Sequence, residues 1–155
     1  EDLLEGPHGA GYCEQIDVSD LGGYEEGISA ALRCFPAKDS SMLGFGEVLT
    51  SQMAAQLFRL ASDGHLVLAT VHAKSIPAGL ERLAAMARAA GEVNANELLS
   101  TSLQLAIHQR FDDSGKLRVQ ALPREHNITA HIHRGEYAAL APEVERIRLM
   151  HLQDQ

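Results

Sequence analysis

The sequence predicts an α/β fold built on a βαβ crossover, and three stretches carry that prediction. Met42–Phe45 is a short apolar run ending in Gly46-Glu47, and Leu66–Ala69 is a second one ending in Thr70-Val71-His72. Between them, Ser51 to Ala61 sets Met53, Leu57, Leu60 and Ala61 at helical spacing, with Gln52, Gln56 and Arg59 on other faces. A strand, a helix and a strand in that order close as a parallel pair. Strands of this kind are expected to be buried on both faces, with ligands at their carboxyl ends, where Glu47 and His72 would lie close together.

Composition bounds the rest. With 155 residues, of which 45% are hydrophobic and 22% charged, the chain is most simply one domain with a real core. A formal net charge of −8 argues against a broad nucleic-acid-binding face or an anionic-membrane patch as its main role, while leaving room for local basic patches. Cys13 and Cys34 form no C-x-x-C pair and read as two reduced, semi-buried thiols of a cytosolic protein. No apolar run approaches the length of a membrane span, and no signal peptide precedes the fold. Because the chain starts at Glu1 without a methionine, it is expected to be a processed or incomplete piece of something longer.

The elements follow in order. Glu1-Asp2-Leu3-Leu4-Glu5 places three carboxylates in five residues before a loop-like Gly6–Gly11 stretch. Such a cluster either is a solvated terminus or holds Mg²⁺ or a water. Tyr12 to Val18 alternates weakly and reads as a strand. Tyr24 to Cys34 reads as a helix with Ile28, Ala31 and Leu32 inward and Glu25, Glu26 and Arg33 outward, stopped by Pro36. Ala37 to Ser41 connects it to the Met42 strand.

Past His72, Ser75 is placed as an N-cap, with Pro77 in the first turn and Leu80, Leu83, Ala84 and Met86 as the apolar stripe of a helix that Gly91 ends. Asn94 or Asn96 starts another helix, in which Leu98, Leu99, Leu103, Ala106 and Ile107 recur near helical spacing as far as Arg110. Asp112-Asp113-Ser114-Gly115 is a turn between short strands at Arg110-Phe111 and Lys116 to Leu122. From about Asn127 to Leu152 two helical pieces break near Gly135, anchored by Tyr137, Leu140, Val144, Ile147 and Leu149.

Several segments, in order, resemble the C-terminal ATPase domain of the secretion ATPase superfamily, whose members drive type IV pili and type II and type IV secretion. Glu1–Glu5 resembles its aspartate box, I-E-D-P-I-E. Leu32-Arg33 to Pro36, then Met42-Leu43-Gly44-Phe45-Gly46-Glu47, resembles the L-R-x-x-P and V-I-L-V-G-E of its Walker B region. Gly64-His65-Leu66-Val67-Leu68-Ala69-Thr70-Val71-His72 is very similar to its histidine box, G-H-L-V-L-A-T-L-H. Leu105–Phe111 is similar to its V-I-A-Q-R-L segment, and Ile128 to Leu140 loosely follows its last helix. No tetracysteine metal clip of the export type is present in the sequence, which favours the PilT-like retraction branch.

The resemblance implies a RecA-like P-loop NTPase core portion, α/β with mainly parallel strands, followed by a helical C-terminal region. Residues 1–155 would be one partial ATPase domain, with the three boxes in 1–75 and a mainly helical remainder in 76–155. It implies that Glu1 orients or deprotonates the attacking water, that Glu47 is the Walker B acid acting on Mg²⁺ through water, and that His65 and His72 bridge the γ-phosphate of ATP to the subunit interface. Phosphoryl transfer needs that combination of metal, in-line water and preorganised charge. The implied partners are further copies of the chain, as a hexamer, and the inner-membrane platform proteins of a pilus or secretion machine, on its cytoplasmic side and without nucleic acid.

The sequence also departs from the family. No G-x-x-x-x-G-K-[ST] loop occurs in it: Gly115-Lys116 is followed by Leu117. Asp39-Ser40-Ser41 replaces a D-P-D approach to Walker B, Leu49-Thr50 stands where the family has Arg-Asp, and Leu3 replaces the proline of the aspartate box. The chain by itself is therefore expected to lack ATPase activity. Beside the motor reading stand two others: a non-hydrolysing paralogue acting as an assembly or regulatory subunit, and a small His-rich metal-binding domain. His131 and His133 are the pair a metal would use; they read more simply as solvent-facing helix residues.

Overall fold

A computed structural model describes residues 2–6, 9–13, 15, 17, 21–34 and 42–153. The chain divides into two compact units, Glu1–Ser41 and Met42–Gln155. In the first, β1 (Asp2–Gly6) and β2 (Gly9–Cys13) form an antiparallel hairpin with Leu4 opposite Gly11. The loop expected at Gly6–Gly11 is thus largely strand. Ladder pairing rests on main-chain groups, so a partner strand overrides the low strand preference of Gly9-Ala10-Gly11. Of the strand expected over Tyr12–Val18, Tyr12 and Cys13 belong to β2 and Gln15 and Asp17 are irregular; Ile16 and Val18 lie outside the described residues. α1 (Tyr24–Cys34) follows, with Glu25 and Glu26 in its first turn and Arg33 in its last, each favourable to the helix dipole. Glu1, Pro36, the Ala37–Ser41 connector and both thiols lie outside the described residues and side chains.

The second unit holds the core. β3 (Met42–Phe45) and β4 (Leu66–Ala69) pair in parallel, Met42 with Leu66 through Phe45 with Ala69, and α2 (Ser51–Ser62) makes the crossover. Thr50 caps α2 by accepting from the Met53 N–H at 3.2 Å. The helix stops where Gly64, at φ +98°, lets the His65 N–H reach the Leu60 carbonyl (3.1 Å) and its own N–H reach that of Ala61 (3.3 Å). Gly64-His65 therefore closes α2 and opens β4.

Burial of both strand faces is not observed. Leu43 is buried and Phe45 packs on the core, whereas Met42, Leu66 and Leu68 are 53–59% exposed. Met42, Leu66 and Leu68 share one face, which the described residues leave uncovered.

α3 (Ile76–Ala89) starts at Ser75, whose hydroxyl accepts from the Ala78 N–H, and ends at Gly91, φ +92°. α4 (Ala95–Ser102) is one element shorter than the pattern predicts, because Leu105–Phe111 is a strand, β5, paired antiparallel with β6 (Leu117–Pro123). Ala106 and His108 face inward while Leu105, Ile107 and Phe111 face out, a period of two that the helical spacing of Leu103, Ala106 and Ile107 conceals. The turn forms as expected: the Asp112 carboxylate accepts from the Ser114 N–H and hydroxyl, the Lys116 N–H and Arg118. Those donors, Ser114 first, hold its carboxyl well below the usual range.

α5 (His126–His133), a single 3-10 turn (Tyr137–Ala139) and α6 (Leu140–Gln153) complete the unit, with the break at Gly135, φ +72°. Tyr137, Leu140, Val144 and Ile147 are buried as expected, but Leu149 is half-exposed, having drifted off the buried stripe. The core joins Val48, Phe58, Leu80, Ala84, Leu99, Leu122, Ile128, Ile132 and Val144, drawn from every α-helix of the unit and from the hairpin's inner face. No described helix is long and apolar enough to cross a membrane.

Candidate functional site

The carboxyl ends of β3 and β4 carry the site. After Phe45 the chain bends at Gly46, presents Glu47, and returns to the core at Val48, which is 1% exposed. After Ala69 it runs through Thr70 and Val71 to His72. Because the strands are adjacent and parallel, both ends arrive on one edge, and the His72 Nε2 lies 3.5 Å from the Glu47 Oε1. The convergence expected from the pattern is present. The carboxylate is about one-third exposed and the imidazole 88% exposed, so both open to solvent.

Main-chain and side-chain bonds extend the ladder past the strands. The Val48 N–H donates to the Thr70 carbonyl at 2.9 Å, and the Thr70 hydroxyl donates to the Gly46 carbonyl. On the other side Arg82 of α3 donates to the His72 carbonyl at 2.6 Å, and the His108 Nε2 of β5 lies 3.2 Å from the Ala73 carbonyl. Gly79 lets α3 approach this loop: a Cβ there would sit 3.2 Å from that of Ala73. The loop from Thr70 to Ser75 is thus held from β3, α3, β5 and its own helix cap, while the imidazole at its centre stays free of packing.

Thr70, Gly79, Arg82 and His108 are the residues that sequence reasoning passed over. Thr70 lies inside the histidine box and was the one with a local signal. Arg82 and His108 act through long-range bonds to carbonyl groups, which no local pattern announces.

The other candidates separate. His65 stands at the amino end of β4, on the order of 20 Å of extended chain from His72 at 3.3 Å per residue, and its backbone serves the end of α2. Glu1 lies outside the described residues. His131 is not a bare solvent-facing residue: its Nδ1 lies 2.9 Å from Glu136, an acid the sequence reading did not pair with it. Arg134 first, and His131 after it, hold Glu136 down to about 2. Among the described residues no three His, Cys, Asp or Glu side chains converge to bind a metal directly. One carboxylate with free lone pairs beside one open imidazole instead fits a hydrated divalent cation and a phosphate, reached through water.

Comparison with known proteins bears on the family and the fold. A family described as "Type II/IV secretion system protein" matches residues 10–137, a stretch that takes in Glu47, His65 and His72 and leaves out Glu1. The competence protein ComGA of Bacillus subtilis (strain 168) is 29% identical over 100 residues, covering 63% of this chain and 26% of that protein. The crystal structure of the ATPase DotB of Yersinia pseudotuberculosis superposes with a TM-score of 0.66 at 21% identity, covering 89% of this chain and 36% of that one. The pilus retraction motor PilT with bound ADP gives 0.63 at 23% identity, covering 77% and 35%. The fold is therefore that of these ATPases, and the chain spans about a quarter to a third of the length of these relatives.

Proposed function

The chain belongs to the type II/IV secretion system protein family, and from that premise we propose that it is part of a hexameric motor ATPase that couples ATP hydrolysis to pilus retraction or to type II or type IV secretion. The observation that carries the proposal is the Glu47–His72 pair, 3.5 Å apart at the carboxyl ends of adjacent parallel strands. Ligands of open α/β sheets bind at that edge. Similarity to an ADP-bound pilus retraction motor supports the nucleotide and the retraction direction.

In this reading Glu47 would hold Mg²⁺ through water, and the metal would supply positive charge against the phosphates of ATP. His72 donates a hydrogen bond from its open imidazole toward the terminal phosphate. Thr70, Arg82 and His108 hold the loop backbone, so the Cα of His72 is fixed at the strand ends before nucleotide arrives and less reorganisation is left to the site. Glu1 orients the attacking water. His65, together with His72, would connect the terminal phosphate to the subunit interface and report whether the site is loaded. The motor works on the cytoplasmic face of the inner membrane, against platform proteins.

The test is Glu47→Gln in the complete motor subunit. Turnover should fall by about 100-fold or more, the range of a lost electrostatic group in a preorganised site, while nucleotide affinity stays within a few-fold. Full turnover in the variant would remove Glu47 from the role. A second reading, a non-hydrolysing assembly or regulatory subunit, is favoured by Leu49-Thr50 in place of Arg-Asp. It predicts nucleotide-independent assembly and no turnover in the unaltered subunit.

A further inference from the structure

Among its described residues, a chain with a formal net charge of −8 carries an open depression of about 410 Å³ whose lining holds no carboxylate. It lies between the end of α4 and α5, and none of its residues belongs to the Glu47–His72 site. Its basic groups are Arg124, on the link from β6, and His126, His133 and Arg134 along α5. Arg134 is paired with Glu136 at 2.8 Å, but Arg124, His126 and His133 make no ion pair or side-chain hydrogen bond among the described residues. The acid next in sequence, Glu125, is committed to Arg146 at 2.5 Å.

The hydroxyl groups narrow the ligand. Ser100 donates to the Glu97 carbonyl at 2.8 Å, Thr101 to the same carbonyl at 2.9 Å, and Thr129 to that of His126 at 2.9 Å. Their protons are spent on the backbone, so toward the depression they offer lone pairs only. A fitting ligand must bring negative charge for Arg124, since Arg134 already has Glu136, and hydrogen-bond donors for the hydroxyl oxygens. Inorganic phosphate brings charge and P–OH donors, but it fills only a small part of a depression of about 410 Å³. A peptide with acidic side chains brings both, and an Arg–carboxylate pair is a strong, directional contact.

We propose that this groove binds an acidic, extended segment of a partner protein. The acidic remainder of the chain repels such a segment elsewhere, so the groove also selects where it lands.

The test uses the 155-residue chain and a fluorescein-labelled ten-residue peptide of Asp and Glu interspersed with Gly and Ser, titrated by anisotropy at low salt. Saturable binding is expected, weakened about tenfold or more by Arg124→Glu. It should be little changed by Lys116→Glu, an exposed charge on the β5–β6 turn. His133→Ala should weaken it in the same direction, and circular dichroism of each variant checks the fold. A peptide with Asn and Gln in place of the acids should not bind, and inorganic phosphate should compete only at far higher concentration. No binding, equal loss with Arg124→Glu and Lys116→Glu, equal affinity for the Asn/Gln peptide, or ready displacement by phosphate would each overturn the proposal, the last by making the groove a simple anion site.

Discussion

The parallel pair β3–β4 and the hairpin β5–β6 are each two-stranded, each with one face on the core and one held out to solvent, by Leu66 and Leu68 in the first and Ile107 and Phe111 in the second. Their ends differ. In the parallel pair both carboxyl ends reach one edge, so Glu47 and His72 meet without either strand bending. In the hairpin the ends point opposite ways, and its contribution to the site comes from mid-strand, through His108 on the inner face. Parallel adjacency thus concentrates chemistry at an edge, whereas an antiparallel ladder supports it from below.

The largest effect expected separates inner from outer faces in both sheets. Leu122→Ala and Leu43→Ala should each lose about 2–5 kcal/mol in chemical denaturation, because both side chains are buried. Ile107→Ala and Leu68→Ala, more than half exposed, should stay within about 1 kcal/mol. Equal losses on both faces would show that the outer faces are covered in solution.

Glycines come next, since each region depends on one for a different reason. Gly79→Leu should cost about 1–3 kcal/mol by overpacking against the box loop, with accelerated amide exchange confined to residues 71–75. Gly115→Ala should cost about 1–2 kcal/mol for placing a Cβ at positive φ, with exchange confined to the hairpin turn. The link between the regions is smaller. Arg82→Ala and His108→Ala should each lose about 1 kcal/mol, and a double-mutant cycle should show coupling above about 0.5 kcal/mol because both hold one loop. Strict additivity would mean the two bonds act independently.

The smallest effect is in acid. The Asp112 carboxyl is depressed by Ser114, Lys116 and Arg118, so it favours the folded turn above its ordinary value of 3.8 and loses that contribution as pH falls further. Amide shifts of Ser114 and Lys116 should therefore hold steady through pH 4 and change only in stronger acid. Asp112→Asn should abolish the change.

Much of the fold was legible where local chemistry is decisive. Ser75, Gly91 and Gly135 mark helix ends through hydrogen bonds or positive φ that only a few residue types supply, while Thr50 and Gly64 do the same for α2 and were passed over. β5 was read as helix because Leu103, Ala106 and Ile107 satisfy both periods, and the choice between them was made by pairing with Leu117–Pro123. Leu149 was misplaced because it stands only two residues past Ile147, about 200° around α6 and so off its buried stripe.

By itself the sequence determined the crossover, the helix caps, the Asp112 turn and the meeting of Glu47 with His72, because each follows from short-range pattern plus the handedness of a parallel connection. Only the tertiary structure decided which strand faces are covered, that Arg82 and His108 hold the box loop, and that basic side chains of α5 share a carboxylate-free groove with the end of α4. Those depend on contacts between residues far apart in the chain, whose direction no local periodicity encodes.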